Sequence, residues 1–272
     1  MSLFSKKIKK VSRTKKIPRP VVLVVLDGYG ISPIQEGNAV AQADTPNIEF
    51  LQKHFPKTLI HASGNEVGLP YGEFGNSEVG HLNLGAGRIV YQPLLRVSRA
   101  IEHGDLATNE VMASIKKHIA KTKGSLHLAG LVSAGGVHSH IEHLIAIITW
   151  CDENDIKKVY LHAFTDGRDS PPASAEEYFT QLEAAAKETS VSLGILSVSG
   201  RHFAMDRDKN WDSIKQAYSV MTGASAKTVS SVRESIKSTY AKQQSDEFLE
   251  PVIILDDVKK ELVTLSDGDA LL

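Results

Sequence analysis

The chain has 272 residues and a single cysteine, Cys151. That excludes an intramolecular disulfide and a thiolate metal cluster. Cys151 sits in an apolar helical pattern and reads as a small core hydrophobe. Such cysteine usage fits a reducing compartment, so a cytoplasmic protein is expected. Long apolar runs are also missing: none approaches the roughly 20 residues that span a bilayer. A membrane partner is therefore not expected. Internal repeats and low-complexity segments are absent as well. The composition, 42% hydrophobic and 23% charged, is that of an ordinary globular protein with room for one large domain or two smaller ones.

Net charge is nearly absent too, at −1, but the balance hides an asymmetry. Residues 1–19 hold eight of the 31 Lys and Arg and no acid. The rest carries 23 bases against 32 acids, a net of −9. The tail is expected to be solvated and disordered, with a targeting peptide or a nucleic-acid arm as the alternative. No apolar stretch precedes Val21, which argues against a secretory signal. The acidic body argues against nucleic acid as a partner.

What is present is alternation. Val21–Leu26 is a continuous apolar run, suited to a strand buried on both faces of a parallel sheet. Thr45-Pro46 opens a helix through Phe55, with Pro in the first turn, and Thr58–Ala62 reads as a short strand. After Gln92 strands and helices alternate. Helices are predicted at Leu94–His103, Asn109–Lys121, around Ile141, Leu144, Ile145 and Ile148, at Ser174–Glu188 and at Trp211–Met221. Strands are predicted at Leu126–Val132, Lys158–Phe164 and Val191–Val198. This pattern predicts βαβ units around a parallel sheet. The chain closes on Ala270-Leu271-Leu272, which reads as the start of a further strand and suggests a truncated domain.

Each of these strands runs into a polar, glycine-containing loop: 133–140, 165–172 and 199–208. Open parallel sheets bind ligands outside the carboxyl ends of their strands. His138, Arg168, Asp169, Arg201 and Arg207 in these loops suit a small anion with several oxygens. Arg168 offers a planar fork to a carboxylate or phosphate, and Asp169 can accept from substrate hydroxyls or move a proton. An internal ion pair is the alternative for both, as it is for Arg201 and Arg207 with their neighbouring acids. His138 is better set to bond a ligand oxygen than to join His140 and His143 in a metal site.

Two residues further upstream carry a different chemistry. Asp27 follows Val21–Leu26, where a carboxylate can bind a hard cation; a turn-forming Asp before Gly28 is the alternative. Ser77 lies in Gly75-Asn76-Ser77-Glu78, at the head of a short helix over Glu78–Leu84. A serine there either caps the helix or, activated by a metal or base, attacks phosphorus where the helix N-terminus favours a phosphate. His81 reads as a ligand or base, or as a structural histidine.

Five motifs are similar to those of the cofactor-independent (2,3-bisphosphoglycerate-independent) phosphoglycerate mutase family: 26–30, 75–88, 135–140, 166–172 and 200–208. The resemblance runs from about Pro20 to the end. It implies an α/β enzyme in which an alkaline-phosphatase-like parallel-sheet domain holds two Mn2+ and an inserted α/β domain binds substrate. Residues 20–92 would be the first segment of the discontinuous phosphatase-like domain, and 93–272 the phosphoglycerate-binding domain. Carried over, Ser77 is the phosphorylated serine and a manganese ligand, and Asp27 binds the same ion. His138, Arg168, Asp169, Arg201 and Arg207 hold 3-phosphoglycerate or 2-phosphoglycerate, with no organic cofactor. Family members are about twice this length, and their other half holds the remaining metal ligands. The expectation is an N-terminal fragment, inactive alone, of an enzyme that is monomeric at full length. A metal-dependent phosphohydrolase and a non-catalytic binding module are the alternatives.

Overall fold

The computed structural model describes residues 19–225, 227–255 and 262–272. The expectation for the basic tail falls, but for Arg19, outside them. The chain forms two compact units, one up to Ile60 and one from His61 to Leu272.

In the first unit, α1 spans Ala39–Gln42 and α2 spans Pro46–His54. Pro46 occupies the first turn of α2, where its missing N–H costs nothing. The strand expected at Val21–Leu26 is not formed, and its six side chains are exposed. Thr58–Ala62 is not a strand either. Both corrections have one cause: a strand satisfies its N–H and C=O groups only against a neighbour, and among the described residues no strand pairs with either segment.

In the second unit, α3 (Ser77–Ala86), α4 (Pro93–Glu102) and α5 (Glu110–Thr122) precede the sheet. Then come β1 (Leu126–Leu131), α6 (Ile141–Glu153), β2 (Lys158–Thr165), α7 (Ala175–Lys187) and β3 (Ser192–Gly200). The short α8 (Arg201–Ala204) and α9 (Trp211–Met221) follow, then β4 (Thr228–Val229), α10 (Val232–Ala241), β5 (Val252–Ile254) and β6 (Ala270–Leu271). The strand order is β4-β5-β3-β2-β1-β6. All neighbours are parallel except β3 and β5. The expected fold class, α/β around a mostly parallel sheet, is therefore the one observed.

The crossovers β1-α6-β2 and β2-α7-β3 step in one direction along the sheet, so right-handed connections put α6 and α7 on one face, in mutual contact. The core between them includes Phe179, Leu182, Leu126, Leu161 and Ile148, with Cys151 fully buried and its thiol pushed up to about 12 by desolvation. Leu196 to Gly200 are all buried, so both faces of β3 are covered at its carboxyl end.

One polar line crosses this core. His127 on β1 and His162 on β2 are buried, with His127 Nδ1 3.1 Å from His162 Nε2. His162 Nδ1 lies 2.9 Å from Ser197 Oγ on β3. His127 Nε2 faces Asp269 Oδ2 at 3.4 Å, close but outside good hydrogen-bond geometry. A carboxylate only accepts, so Nε2 of His127 carries its proton and Nδ1 accepts from His162, which in turn accepts from the serine hydroxyl. Both rings are then neutral. Desolvation lowers the pKa of each, that of His162 to about 4. Asp269 also accepts from Ser125 N–H at 2.7 Å, which ties β6 to the edge of β1.

Candidate functional site

The carboxyl ends of β1, β2 and β3 meet at one buried carboxylate, Asp166, the residue after β2. Ser133, in the loop after β1, donates its hydroxyl to Asp166 Oδ2 at 2.7 Å. The Arg168 and Asp169 amides donate to Oδ1 at 3.2 and 3.0 Å, which closes the tight loop. Arg201, at the end of β3, donates from Nη1 to Asp166 Oδ1 at 2.7 Å and to Asp169 Oδ2 at 2.6 Å. Burial pushes the Asp166 pKa up, but the bonds from Ser133, the Asp169 amide, Arg201 and the Arg168 amide outweigh it, and the group stays below the usual carboxylate range. Burial likewise lowers Arg201, and its two aspartate partners more than restore it.

A fourth element enters from far along the chain. A single 3-10 turn, Asp246–Phe248, packs against the ends of β2 and β3. The approach requires glycine. A Cβ on Gly167 would stand 2.7 Å from Glu247 N, and one on Gly200 would stand 2.3 Å from Glu247 O. Sequence reading missed this element, and those two glycines at strand ends were the only trace of it. Glu247 is thereby brought 2.6 Å from Arg168 Nη2.

Between these loops lies a cleft of about 180 Å³, lined among others by His138, Arg168, Arg201, His202, Arg207 and Glu247. The three arginines differ. Arg201 is 8% exposed and committed to two carboxylates, whereas Arg168 is half-exposed and backed by Glu247. Arg207 is exposed and forms no ion pair within 4 Å among the described residues. His138 is exposed, with Nε2 3.9 Å from Asp169 Oδ2. Asp169 thus stands behind the cleft, between His138 and Arg201. Four of the five expected anion-binding residues line one concavity and the fifth braces it. Such a surface can grip a small anion through forked donors while its own acids keep the bare cations from repelling one another.

The other histidines of the 133–140 loop and α6 have local partners. His140 Nδ1 accepts from Glu142 N–H as the cap of α6, and His143 Nε2 lies 2.8 Å from Ser98 Oγ.

Ser77 is the first residue of α3 and is exposed. The cap is its neighbour: Asn76 Oδ1 accepts from Val79 N–H at 3.0 Å. His81 Nδ1 lies 2.8 Å from the Ser77 carbonyl and 3.2 Å from its Oγ. A carbonyl only accepts, so Nδ1 carries a proton and does not act as base toward Ser77 in this arrangement. The loop leading to Ser77 comes close to the β1 loop, since a Cβ on Gly136 would lie 3.7 Å from Glu73 Oε1. Ser77 itself is not part of the cleft lining. Asp27 is exposed in the first unit, in a turn closed by Tyr29 N–H to Leu26 O at 3.1 Å, with Gly28 at φ +79. Among the described residues no group of three or more His, Cys, Asp or Glu is placed to hold a metal ion. Asp27 and Ser77 fall short of the roughly six ligands that a hard cation takes. No helix among the described residues is long and apolar enough to cross a membrane.

Comparison with known proteins gives this arrangement its context. Residues 97–272 match the family described as BPG-independent PGAM N-terminus. The 2,3-bisphosphoglycerate-independent phosphoglycerate mutase of Clostridioides difficile (strain 630) is 44% identical over 254 residues, covering 93% of this chain and 49% of the relative. Phosphoglycerate mutase 1 of that type from Methanosarcina acetivorans is 46% identical, with 93% and 49% covered. A crystal structure of Leishmania mexicana phosphoglycerate mutase at low cobalt concentration matches with a TM-score of 0.69 and 34% identity, over 91% of this chain and 47% of that one. The chain spans about half the length of these relatives. It belongs to the 2,3-bisphosphoglycerate-independent phosphoglycerate mutase family and corresponds to that family's N-terminal part.

Proposed function

We propose that this chain is the substrate-gripping half of an isomerase that interconverts 3-phosphoglycerate and 2-phosphoglycerate through a phosphoserine at Ser77. The observation that carries the reading is the convergence of Arg168, Arg201, Arg207 and His138 on one cleft in a chain of this family. In this reading the arginines take the carboxylate and phosphate oxygens, Arg201 in an orientation fixed by Asp166 and Asp169. His138 and Asp169 serve the glycerate hydroxyls. Holding the glycerate between two phosphoryl transfers is what separates a mutase from a hydrolase, which has no need to keep it.

Residues 20–92 are then the first segment of a discontinuous phosphatase-like domain, and 93–272 the phosphoglycerate-binding domain. The family match beginning at residue 97 supports the division. The metal belongs to the first of these. Asp27 and Ser77 are its ligands from this chain, the remainder come from polypeptide outside it, and manganese is the proposed ion. The residues described do not by themselves build the metal centre. The complete enzyme is placed in the cytoplasm as a monomer.

Two measurements test the reading. Calorimetric titration of the purified 272-residue chain with 3-phosphoglycerate is expected to show weak, saturable binding that Arg168→Ala weakens about tenfold or more. A coupled assay for 2-phosphoglycerate is expected to show no turnover by this chain alone. Absence of binding defeats the assignment of the cleft, and turnover defeats the claim that the metal centre is incomplete. Release of free phosphate in place of 2-phosphoglycerate would mark a phosphohydrolase.

A further inference from the structure

We infer that Glu247 is a positioning residue for the phosphoglycerate cleft: it holds the guanidinium of Arg168 in the orientation that receives the anion. The inference rests on the function proposed above and adds an acid from a part of the chain that no cleft motif contains.

The geometry is built rather than incidental. Asp246, the residue before Glu247, is fixed by five hydrogen bonds to residues outside its own turn. Its amide donates to Pro172 O at 2.8 Å, and its carbonyl accepts from Thr165 Oγ1 at 2.6 Å. Its carboxylate accepts from the Ser174 and Ala175 amides at 2.8 and 2.9 Å, capping α7, and from Tyr240 Oη at 2.6 Å. Gly167 and Gly200 let the backbone of Glu247 lie directly against the ends of β2 and β3. The side chain therefore leaves from a point that tolerates little movement.

Glu247 Oε1 is buried and has no hydrogen-bond partner. Its approach to Arg168 Nη2, at 2.6 Å, is off the line of an N–H···O bond, so the contact is charge against charge. A buried carboxylate oxygen with one cation beside it is costly unless that cation stays. Arg168, more than half exposed at its side chain, otherwise has a long flexible stem and many rotamers. Pairing at one nitrogen leaves the rest of the fork for a ligand. A negative charge in an anion cleft opposes binding through space, whereas a tether favours binding by pre-ordering the arginine. The two effects have opposite signs, and the sign decides between them.

Three forms of the 272-residue chain, wild type, Glu247→Gln and Glu247→Asp, are titrated calorimetrically with 3-phosphoglycerate and with inorganic phosphate. Separately, the rate of Arg168 modification by phenylglyoxal is followed by peptide mass spectrometry without ligand. Positioning predicts that Glu247→Gln weakens 3-phosphoglycerate about tenfold, changes inorganic phosphate less, and speeds Arg168 modification. Glu247→Asp should recover part of both losses. Equal or tighter 3-phosphoglycerate binding by Glu247→Gln overturns the inference, and so does an unchanged modification rate. If the wild type binds no 3-phosphoglycerate while modification still accelerates in Glu247→Gln, the tether stands and the assigned substrate falls.

Discussion

Asp166 and Asp27 are both aspartates set directly after a strand-like run and before a glycine, and the structure treats them in opposite ways. Asp166 is buried and accepts from Ser133, Arg201 and two amides. Asp27 is exposed at the corner of a turn. The local sequence is alike, strand-like residues and then Asp-Gly. The surroundings are not. β2 has a strand on each side, and those strands end in loops that supply donors, while Val21–Leu26 has no paired neighbour among the described residues. A carboxylate after a strand becomes the centre of a site only when adjacent strands bring partners to it.

The comparison breaks most visibly at stability. Asp166→Ala leaves Arg201 buried with one acid in place of two and strips Ser133 and two amides of their acceptor. A loss of about 3 kcal/mol is expected, read as a shift of the urea unfolding midpoint. Asp27→Ala should stay within about 0.5 kcal/mol of the parent, because it removes only an exposed turn aspartate. Equal losses would show that Asp27 has partners as strong as those of Asp166.

A second effect belongs to the core that the three loops stand on. The folded pKa of His162, about 4, lies below its ordinary 6.5. Between those values the unfolded chain takes up a proton that the folded chain refuses, so this stability is complete above pH 6.5 and is lost as pH falls toward 4. The size is on the order of 3 kcal/mol. The charged group facing the pair is Asp269, which partly offsets the lowering of His127 by burial, while His127 adds to the lowering of His162. Urea melts at pH 7 and pH 4.5 should show the loss, and His162→Gln should flatten the dependence. An unchanged slope in His162→Gln would move the effect to other groups. The Ser77 segment contains no such buried histidine, so exchange protection in α3 should follow pH less steeply than that of β1 and β2.

How far the sequence carried depends on the range of the interaction. β1 to β3, α5 and α7 lie within a residue or two of where periodicity put them, and α6 carries the predicted apolar face, because apolar spacing and caps such as Asn109 act over one turn. The cleft residues His138, Arg168, Arg201 and Arg207, and Asp169 behind them, were legible because each sits in the segment that follows its strand. Glu247 and the role of Asp166 were not, since the bond from Thr165 Oγ1 to Asp246 O spans 81 residues and leaves no local pattern. Val21–Leu26 was misread for the complementary reason: its composition states what a buried strand needs and says nothing of whether a neighbour is there to supply it.

The smallest effect separates two adjacent residues. By residue type Asn76 and Ser77 can each cap a helix, but only the serine hydroxyl can serve as a nucleophile. The structure gives the cap to Asn76, whose Oδ1 takes the Val79 amide at 3.0 Å, and leaves Ser77 Oγ in contact with His81 Nδ1 at 3.2 Å. Asn76→Ala should therefore weaken the first turn of α3 by about 1 kcal/mol, seen as roughly fivefold faster hydrogen exchange at the Val79 amide. Ser77→Ala should leave that amide unchanged. Comparable acceleration by both would return Ser77 to a structural role and remove the argument that its hydroxyl is free for chemistry. Acceleration by Asn76→Ala alone means that the serine bears no part of holding the helix, which is the condition for the proposed role, in which its hydroxyl would take and return a phosphoryl group without disturbing the element that carries it.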